Sequence, residues 1–474
     1  MPKDLRGFLH ELRARPDELI EVDRPVRPHE FEVTALLKQL EDRGRHPALL
    51  FQHPTDQHDR PSEFRLLTNL YASRARCAMM FGVDPATPNY ELSREFGRKA
   101  RETVAPLVLS SGAPVQECVW RGSEADVGRL PIVRHFTMDI GPTLTMTHVM
   151  RSLEGHYDIS FAKTFYTWDP HRMVVSIHTR DLHRIIREYE ARGEPAPIIN
   201  VLGHHPAFHH GSLARNAWEV DDYAMIGSFL GEPLRLAPSV TWGDRFMVPA
   251  DAEIIIEGEI PPGERDICDP FGEVPRLYQA QCLRPVFQVK AITFRRNAIV
   301  QDIFSGFHDC YPLNAVATEG ALEMALRPRF PNLHALHMAD SGSALMAIYI
   351  ALKDIRPGQA EEIGRLALER SPVLHCAVIV DDDIDVFNEG EVLWAVHTYT
   401  NLQRGITILP ETSGVAHGQP WSGFGPSNWG GKVVIAANRP TDFAFGSRSE
   451  VPAEVIAQTR LADYLPPAAL ARMR

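Results

Sequence analysis

"AEIIIEGEI", residues 252–260, is a run of β-branched apolar residues that ends at the turn Pro261–Pro262–Gly263. A run of this length and composition, bounded by turn residues, reads as a strand. Similar runs lie on either side of it: "PLVLSSGAPVQECVW" (106–120), "MVVSIHT" (173–179), "APIINVLG" (196–203) and "PVFQVKAITF" (285–294). Short strands punctuated by Pro and Gly predict a mostly antiparallel barrel or sandwich over residues 107–310.

Helices interrupt this β region. In "DLHRIIREYEARG" (181–193) Leu182, Ile185, Ile186 and Tyr189 form an apolar stripe, and Gly193 supplies a C-terminal cap. A second helix is expected over Asp222–Leu230. Upstream, Leu5, Phe8, Leu9 and Leu12 recur at helical spacing, while 46–54 and 64–71 read as buried strands around a polar loop, 54–61. Downstream of 310 the pattern becomes α/β. Strand, loop and strand cover "HALHMADSGSALMAIYIAL"; "PGQAEEIGRLALER" is a helix, "PVLHCAVIV" a strand, and "DDDIDVFNEGEVLWAVHTY" a loop and helix. The segment from Val451 reads as a terminal helix broken by a Pro-Pro pair. The fold class is therefore α/β (α+β multidomain), divided as 1–106, 107–310, 311–450 and 451–474.

Bulk properties narrow the function. The chain has 474 residues, is 44% hydrophobic and 23% charged, and carries a formal charge of −12. A nucleic-acid binder needs a basic face, so that class is disfavoured. The first residues lack the apolar core of a signal peptide, and no apolar run approaches the ~18 residues of a membrane span. Six scattered cysteines without a CxxC pair fit free thiols in a reducing cytoplasm.

The stretch "CDPFGEVP" (268–275) carries the chemistry. Asp269 and Glu273 flank a Pro-Phe-Gly turn in which Gly272 permits close backbone approach. From Asp269 it runs into "DPFGEVPRLY" (269–278), one of seven stretches that resemble, in order, those of the UbiD family of (de)carboxylases. The others are "DLRGFLHEL" (4–12), "PALLF" (47–51), "TNLYASRARCAMMFGV" (68–83), "RLPIVRHFTMDIGPTLT" (129–145), "VPADAEIIIEGEI" (248–260) and "VDDDIDVFNEGEVLWAV" (380–396).

The resemblance implies an N-terminal α/β segment, a central split β-barrel related to flavin reductases, and a C-terminal α/β domain that dimerises. It implies prenylated FMN as cofactor, its phosphate held through a divalent cation (Mn²⁺ or Mg²⁺) and usually K⁺. The family's metal ligands are Asn, His and Glu; at the matching positions stand Asp158, His183 and Asp222, with His178 the alternative histidine. Carboxylate oxygens and an imidazole suit either cation. Ser160 and Lys163 follow in the same motif, Lys163 replacing an Arg, and Lys432 after a Gly pair is a further candidate for phosphate.

Decarboxylation leaves an electron pair on carbon, which no side chain accommodates well, so a cofactor must carry that step. The family's Glu–Arg–Glu network becomes Cys268 (with Asp269 beside it), Lys163 and Glu273, and only Glu273, the proton donor, is unchanged. The expected activity is non-oxidative decarboxylation of an aromatic, heteroaromatic or α,β-unsaturated acid, with a flavin prenyltransferase supplying the cofactor to a cytoplasmic homo-oligomer. Pocket walls are expected from 305–315 and 397–429. The alternative is a UbiD-like scaffold without cofactor. An ordinary flavin reductase is disfavoured because no GxGxxG follows a strand. The four histidines of "GHHPAFHHG" (203–211) fall in a segment expected to be a plain loop, and "DDDID" (381–385) reads as capping or solvated acids.

Overall fold

A computed structural model describes residues 3–371, 373–410, 431–440, 442–467 and 469. The described residues up to Asn438 form one compact unit and those from Arg439 onward another. In the smaller unit two short helices, Ala453–Gln458 and Leu461–Tyr464, stand where the sequence suggested one. The break falls at Thr459, which is extended, and Leu465 leaves the helical region because Pro466 follows it.

The larger unit holds four sheets. The first runs in the order Leu19–Val22, Ala48–Phe51, Arg65–Thr68 and Ile299–Gln301. Its last strand comes from far along the chain and pairs in parallel with Arg65–Thr68, so the N-terminal segment is completed by the end of the central one. The helix Leu5–Arg13 lies beside this sheet and buries Leu5, Phe8, Leu9 and Leu12, with the Asp4 side chain accepting from the Gly7 amide.

The central sheet has ten strands. Its path runs Thr143–Leu144, Thr164–Asp169, Arg172–Val175, Cys282–Phe294, Ile254–Ile260, Ala196–Leu202, Thr147–Arg151 and Tyr157–Phe161, with Arg265–Cys268 and Cys118–Arg121 also on Cys282–Phe294. Every ladder in it is antiparallel. Among the described residues no ladder joins its two ends. Ile254, Ile255, Ile256 and Ile260 are fully buried, as expected for a central strand flanked by ladders on both sides. The helix Arg180–Ala191 packs on this sheet through Leu182, Ile185 and Ile186 and is followed by Gly193 at φ 68°. A small sheet of Gly243–Pro249, Arg235–Ser239 and Leu107–Val108 completes the region.

The C-terminal sheet runs Leu333–Met338, Ala347–Leu352, Cys376–Asp381, Lys432–Ala436, Ile406–Leu409, with the inner strands parallel. Its helices include Tyr311–Leu326, Gln359–Arg370 and Glu389–Tyr399. The sequence did not single out Tyr311–Leu326, because burial on it does not follow polarity. Ala315, Val316, Leu322 and Leu326 are buried together with Glu319 and Glu323, while the more open positions include Ala321, Met324 and Ala325, so no polar face marks its period. No helix among the described residues is long and apolar enough to cross a membrane.

One contact ties the N-terminal segment to the C-terminal sheet. Glu319, fully buried, accepts from Arg74 Nη1 at 3.0 Å, pairs with His337 Nδ1 at 3.0 Å and accepts from the Met338 amide at 2.9 Å. Beside it the helix Asn89–Lys99 crosses Tyr311–Leu326 so closely that a Cβ on Gly320 would lie 2.6 Å from the Ser93 carbonyl oxygen. Gly320→Ala gains about 1 kcal/mol of helix propensity but must displace backbone, an overpacking cost of about 1–3 kcal/mol. The wall is a carbonyl that cannot rotate aside, so net destabilisation is expected. A lower denaturant midpoint with unchanged slope would show it; a raised midpoint would mean the helices separate freely.

Candidate active site

The turn that carries the acids is fixed from three sides. The strand Arg265–Cys268 pairs with the start of Cys282–Phe294, placing Cys268 opposite Cys282, and the chain leaves that hairpin directly into Asp269. From below, Asp139 accepts from the amides of Gly272 at 3.0 Å, Phe136 at 2.7 Å and His135 at 3.2 Å. The Ile140 amide in turn donates to the Pro270 carbonyl at 2.9 Å. From the side, the Phe136 ring lies on Gly272, where a Cβ would come within 2.2 Å of it. Only glycine fits there. Phe271 points the other way, into a cluster with Phe165, Val174 and Cys268.

This mount presents a buried ion pair. Lys163 Nζ contacts Glu273 Oε1, and Gln279 Nε2 donates to the same oxygen at 2.9 Å. The Lys163 ammonium stands 4.6 Å from the centre of the Phe271 ring, a cation–π distance. Glu273 is only 8% exposed. Burial pushes Lys163 down to about 8, opposed by the negative field of Asp269. Asp269 is fully buried; its Oδ2 accepts from the Cys282 thiol at 3.5 Å, and its Oδ1 has no protein partner. The structure thus brings together Glu273, Lys163, Cys268 and Asp269. Cys268, however, stands as a neutral packing group. Burial and the adjacent Asp269 push its thiol up, so it does not replace a carboxylate in charge.

The strand Tyr157–Phe161 carries Asp158 and Ser160, two residues apart and both half-buried. The helix Asp222–Leu230 docks on this strand. Asp221 caps the helix and accepts from the Tyr157 amide at 3.2 Å, and Asp222 accepts from the Ile159 amide at 2.8 Å. Asp158 is pushed up to about 7 by burial and by Asp181. Asp222 is raised well above the carboxylate range by burial and then by Asp158. The two carboxylates therefore share one site, and such a donor pair suits a hard divalent cation.

The histidine does not join them. His183 is half-buried on its helix in the field of Arg187, Arg265 and Arg284. His178, pushed down to about 4 by burial, Arg284 and Lys163, belongs to the Lys163 side, and its buried Nδ1 has no protein partner. Asp158, Asp222 and either histidine do not bring three ligand atoms within 4.8 Å of one another.

Three further expectations change. Lys432 is turned away from any phosphate: its ammonium donates to the carbonyls of Leu368 at 2.7 Å and Ser371 at 3.0 Å, at the C-terminus of Gln359–Arg370. The negative end of a helix is where a buried cation belongs. Residues 206–211 form a short helix, not a loop, and His204, His205, His209 and His210 are all buried in it or beside it. Burial pushes all four down, so they are neutral packing groups. Of the expected pocket walls, 311–315 is the first turn of a helix and 411–429 lies outside the described residues. In "DDDID", Asp382, Asp383 and Asp385 are exposed at the end of the strand Cys376–Asp381, as capping or solvated acids would be.

Asp139, Gln279 and Cys282 were not singled out from the sequence. Cys282 becomes visible only once the hairpin register is known, and Asp139 reaches the turn from 133 residues away.

Family models described as 3-octaprenyl-4-hydroxybenzoate carboxy-lyase N-terminal, Rift-related and C-terminal domains match residues 11–96, 107–308 and 313–437. A phenolic acid decarboxylase of Bacillus subtilis (strain 168) is 27% identical over 450 residues, spanning 92% of this chain and 93% of that protein. The UbiD-class enzyme HmfF from Pelotomaculum thermopropionicum in complex with FMN superimposes with a TM-score of 0.88 at 28% identity, covering 98% of this chain and all of the other. An evolved dimeric form of that enzyme with prFMN gives 0.86 at 29% identity, again over 98% of this chain.

Asp139→Asn tests the mount. An amide replaces one acceptor oxygen with a donor, so one of three buried backbone N–H groups loses its partner, a cost of about 1–3 kcal/mol. Lower stability in denaturant titration, accompanied by lower turnover, is expected. Unchanged values of both would show that the turn holds its shape without this carboxylate.

Proposed function

Because the chain belongs to the UbiD family of carboxy-lyases, we propose that it is a prenylated-FMN-dependent, non-oxidative decarboxylase of an aromatic, heteroaromatic or α,β-unsaturated carboxylic acid, with Glu273 as proton donor. The buried Lys163–Glu273 pair carries this reading. The homologous enzyme with bound prFMN and the phenolic acid decarboxylase relative support it.

Bound flavin supplies the electron sink that the side chains lack. The chain's own residues do the rest. The reaction exchanges carbon dioxide for a proton, so a group near the reacting carbon must deliver one proton per turnover. Glu273 is aimed by Gln279 and by Lys163, both on Oε1. An ammonium pushed down to about 8 by burial passes its proton to a neighbouring carboxylate more readily than a guanidinium does. Lys163 and Glu273 thereby form a two-step relay: the proton moves from Nζ to Oε1, then from Glu273 to carbon, and solvent restores the lysine. Asp269 holds the relay's charge balance. Asp158 and Asp222 would hold the divalent cation, Mn²⁺ or Mg²⁺, Ser160 would bind the cofactor with K⁺ as a further ion, and His178 or His183 would complete the set only by moving toward the pair, since neither stands with it here. A flavin prenyltransferase supplies the cofactor, and the chain works as a cytoplasmic homodimer or larger homo-oligomer.

The divided ligand set favours one competing reading, a UbiD-like scaffold without cofactor. Protein co-expressed with a flavin prenyltransferase decides between them. An absorbance spectrum and mass of bound prenylated FMN support the enzyme; flavin-free protein supports the scaffold.

Two predictions follow from the assignments. Asp158→Ala and Asp222→Ala should each lose metal and flavin together, and full retention of flavin in both would remove these residues from the site. Glu273→Gln is nearly isosteric, so it should fold and bind cofactor while turnover and deuterium incorporation at the product carbon fall by at least about 100-fold. Asp269→Asn should cost less. If instead Glu273→Gln turns over normally and Asp269→Asn is dead, Asp269 is the acid.

A further inference from the structure

Away from the acid turn, Glu41, His46 and His308 bring one carboxylate oxygen and two ring nitrogens within 4.8 Å of one another. Glu41 ends the helix Glu32–Glu41, His46 lies in the turn before Ala48–Phe51, and His308 lies just before Tyr311–Leu326. His308 Nδ1 is 2.6 Å from Glu41 Oε1, and His46 Nδ1 is 3.4 Å from Glu41 Oε2. The two imidazoles stack with centroids 3.8 Å apart and planes 21° from parallel, so both Nδ1 atoms face the same carboxylate. We propose that these three residues form a binding site for a first-row divalent cation of the zinc class, separate from the Asp158–Asp222 pair.

The chemistry of the donors fits. Two imidazoles and one carboxylate leave a coordination position for water and suit Zn²⁺ and its neighbours better than Mg²⁺ or Ca²⁺. A tetrahedral ion with bonds of about 2.0–2.1 Å holds its ligand atoms about 3.3 Å apart. The nitrogen–oxygen separations, 2.6 Å to Oε1 and 3.4 Å to Oε2, lie within 1 Å of that, whereas the rings stacked at 3.8 Å must swing apart to the roughly 5 Å that two imidazoles on one tetrahedral ion require. On the far side of His308, Asp340 Oδ2 stands 3.6 Å from Nε2. That is just beyond hydrogen-bond distance; once a cation displaces the Nδ1 proton, a small approach of Asp340 would let it accept from Nε2–H, the usual outer support of a ligating histidine.

The backbones that carry the two histidines are also held in advance, although His46 and His308 lie far apart in the chain. Arg76 Nη2 donates to the His46 carbonyl and, at 3.1 Å, to that of Asn69. Asn69 Nδ2 donates to the Pro47 carbonyl at 2.8 Å, and the Asn69 amide donates to Asp309 at 2.9 Å. Asp309, next to His308, also accepts from the amides of Tyr71 and Phe304, both at 3.0 Å. The backbones on both sides of the cluster are therefore fastened to Asn69. The backbone thus needs little ordering on binding, which favours affinity, and only the two rings and the Glu41 carboxylate have to move.

The site has a mechanical consequence. His308 lies two residues after Gly306, whose carbonyl accepts from Arg276 Nε at 2.6 Å, and the Arg276 amide donates to the Glu273 carbonyl at 2.8 Å. A cation at Glu41, His46 and His308 clamps the segment that backs the acid turn onto the N-terminal domain.

Untagged full-length protein, stripped with a chelator, tests this by Zn²⁺ calorimetry and by Co²⁺ visible absorption. The Asp158→Ala, Asp222→Ala double variant should keep one Zn²⁺ site and the intense bands of tetrahedral Co²⁺. Glu41→Gln and His46→Gln should each weaken that site by at least about 10-fold, and Asp340→Asn by about 10-fold. Circular dichroism and thermal unfolding check that the variants fold, and Glu41→Gln, nearly isosteric, serves if His46→Gln does not. Zn²⁺ affinity and stoichiometry equal to wild type in Glu41→Gln, or no Zn²⁺ bound by the double variant, would overturn the proposal. Neither readout depends on flavin or substrate, so the decarboxylase reading stands or falls separately.

Discussion

The thirteen-residue strand Cys282–Phe294 is the constraint on which the rest depends. It forms ladders with four other strands: Arg172–Val175, Ile254–Ile260, Arg265–Cys268 and Cys118–Arg121. Its second half is buried at the centre of the ten-stranded sheet, and its first half emerges as one side of a hairpin. The acid turn hangs from the end of that hairpin. A slip of one residue would turn Cys268 and Cys282 to the other face and carry Glu273 away from Lys163. Register is set where Ile254, Ile256 and Ile292 are fully buried, so the core fixes the position of the acid.

Electrostatics explains why that position has to be exact in depth as well as in register. A buried ion pair recovers its desolvation cost only when geometry is close and remaining hydrogen-bonding capacity is used. Here Gln279 supplies one bond to the glutamate and the Phe271 face receives the ammonium. Burial still dominates, since it pushes Lys163 down despite the negative groups around it. A guanidinium would remain charged under the same burial. Lysine in place of arginine thus converts a fixed charge into one able to exchange a proton.

What the sequence revealed, and what it did not, follows the range of the interactions. Ile254–Ile260, Arg180–Ala191 and Asp222–Leu230 are legible because each has a local pattern: a β-branched run, an apolar stripe, a capped start. The pairing of Glu273 with Lys163 was reached through the motif order. Tyr311–Leu326 has no polar face to reveal its period, and Lys432 looked available because nothing nearby in sequence announces that the carbonyls of Leu368 and Ser371 enclose it. Asp139 and Gly320 act through backbone contacts with residues more than 100 positions away. Such contacts leave no local signal.

The two halves of the candidate site are also built on different principles. The acid half is held by neutral, short-range contacts: a hairpin register, three amides on Asp139 and a ring on Gly272. The carboxylate half places Asp158 and Asp222 at one strand–helix junction, where burial disfavours ionisation of both, Asp181 adds to this at Asp158, and Asp158 adds to it at Asp222. Asp221 and the Ile159 amide hold that junction closed, so the carboxylates cannot relieve their repulsion by separating. Either protons or a cation must neutralise them. In the decarboxylase reading, a cation bound at this junction would displace those protons, so its affinity would rise with pH.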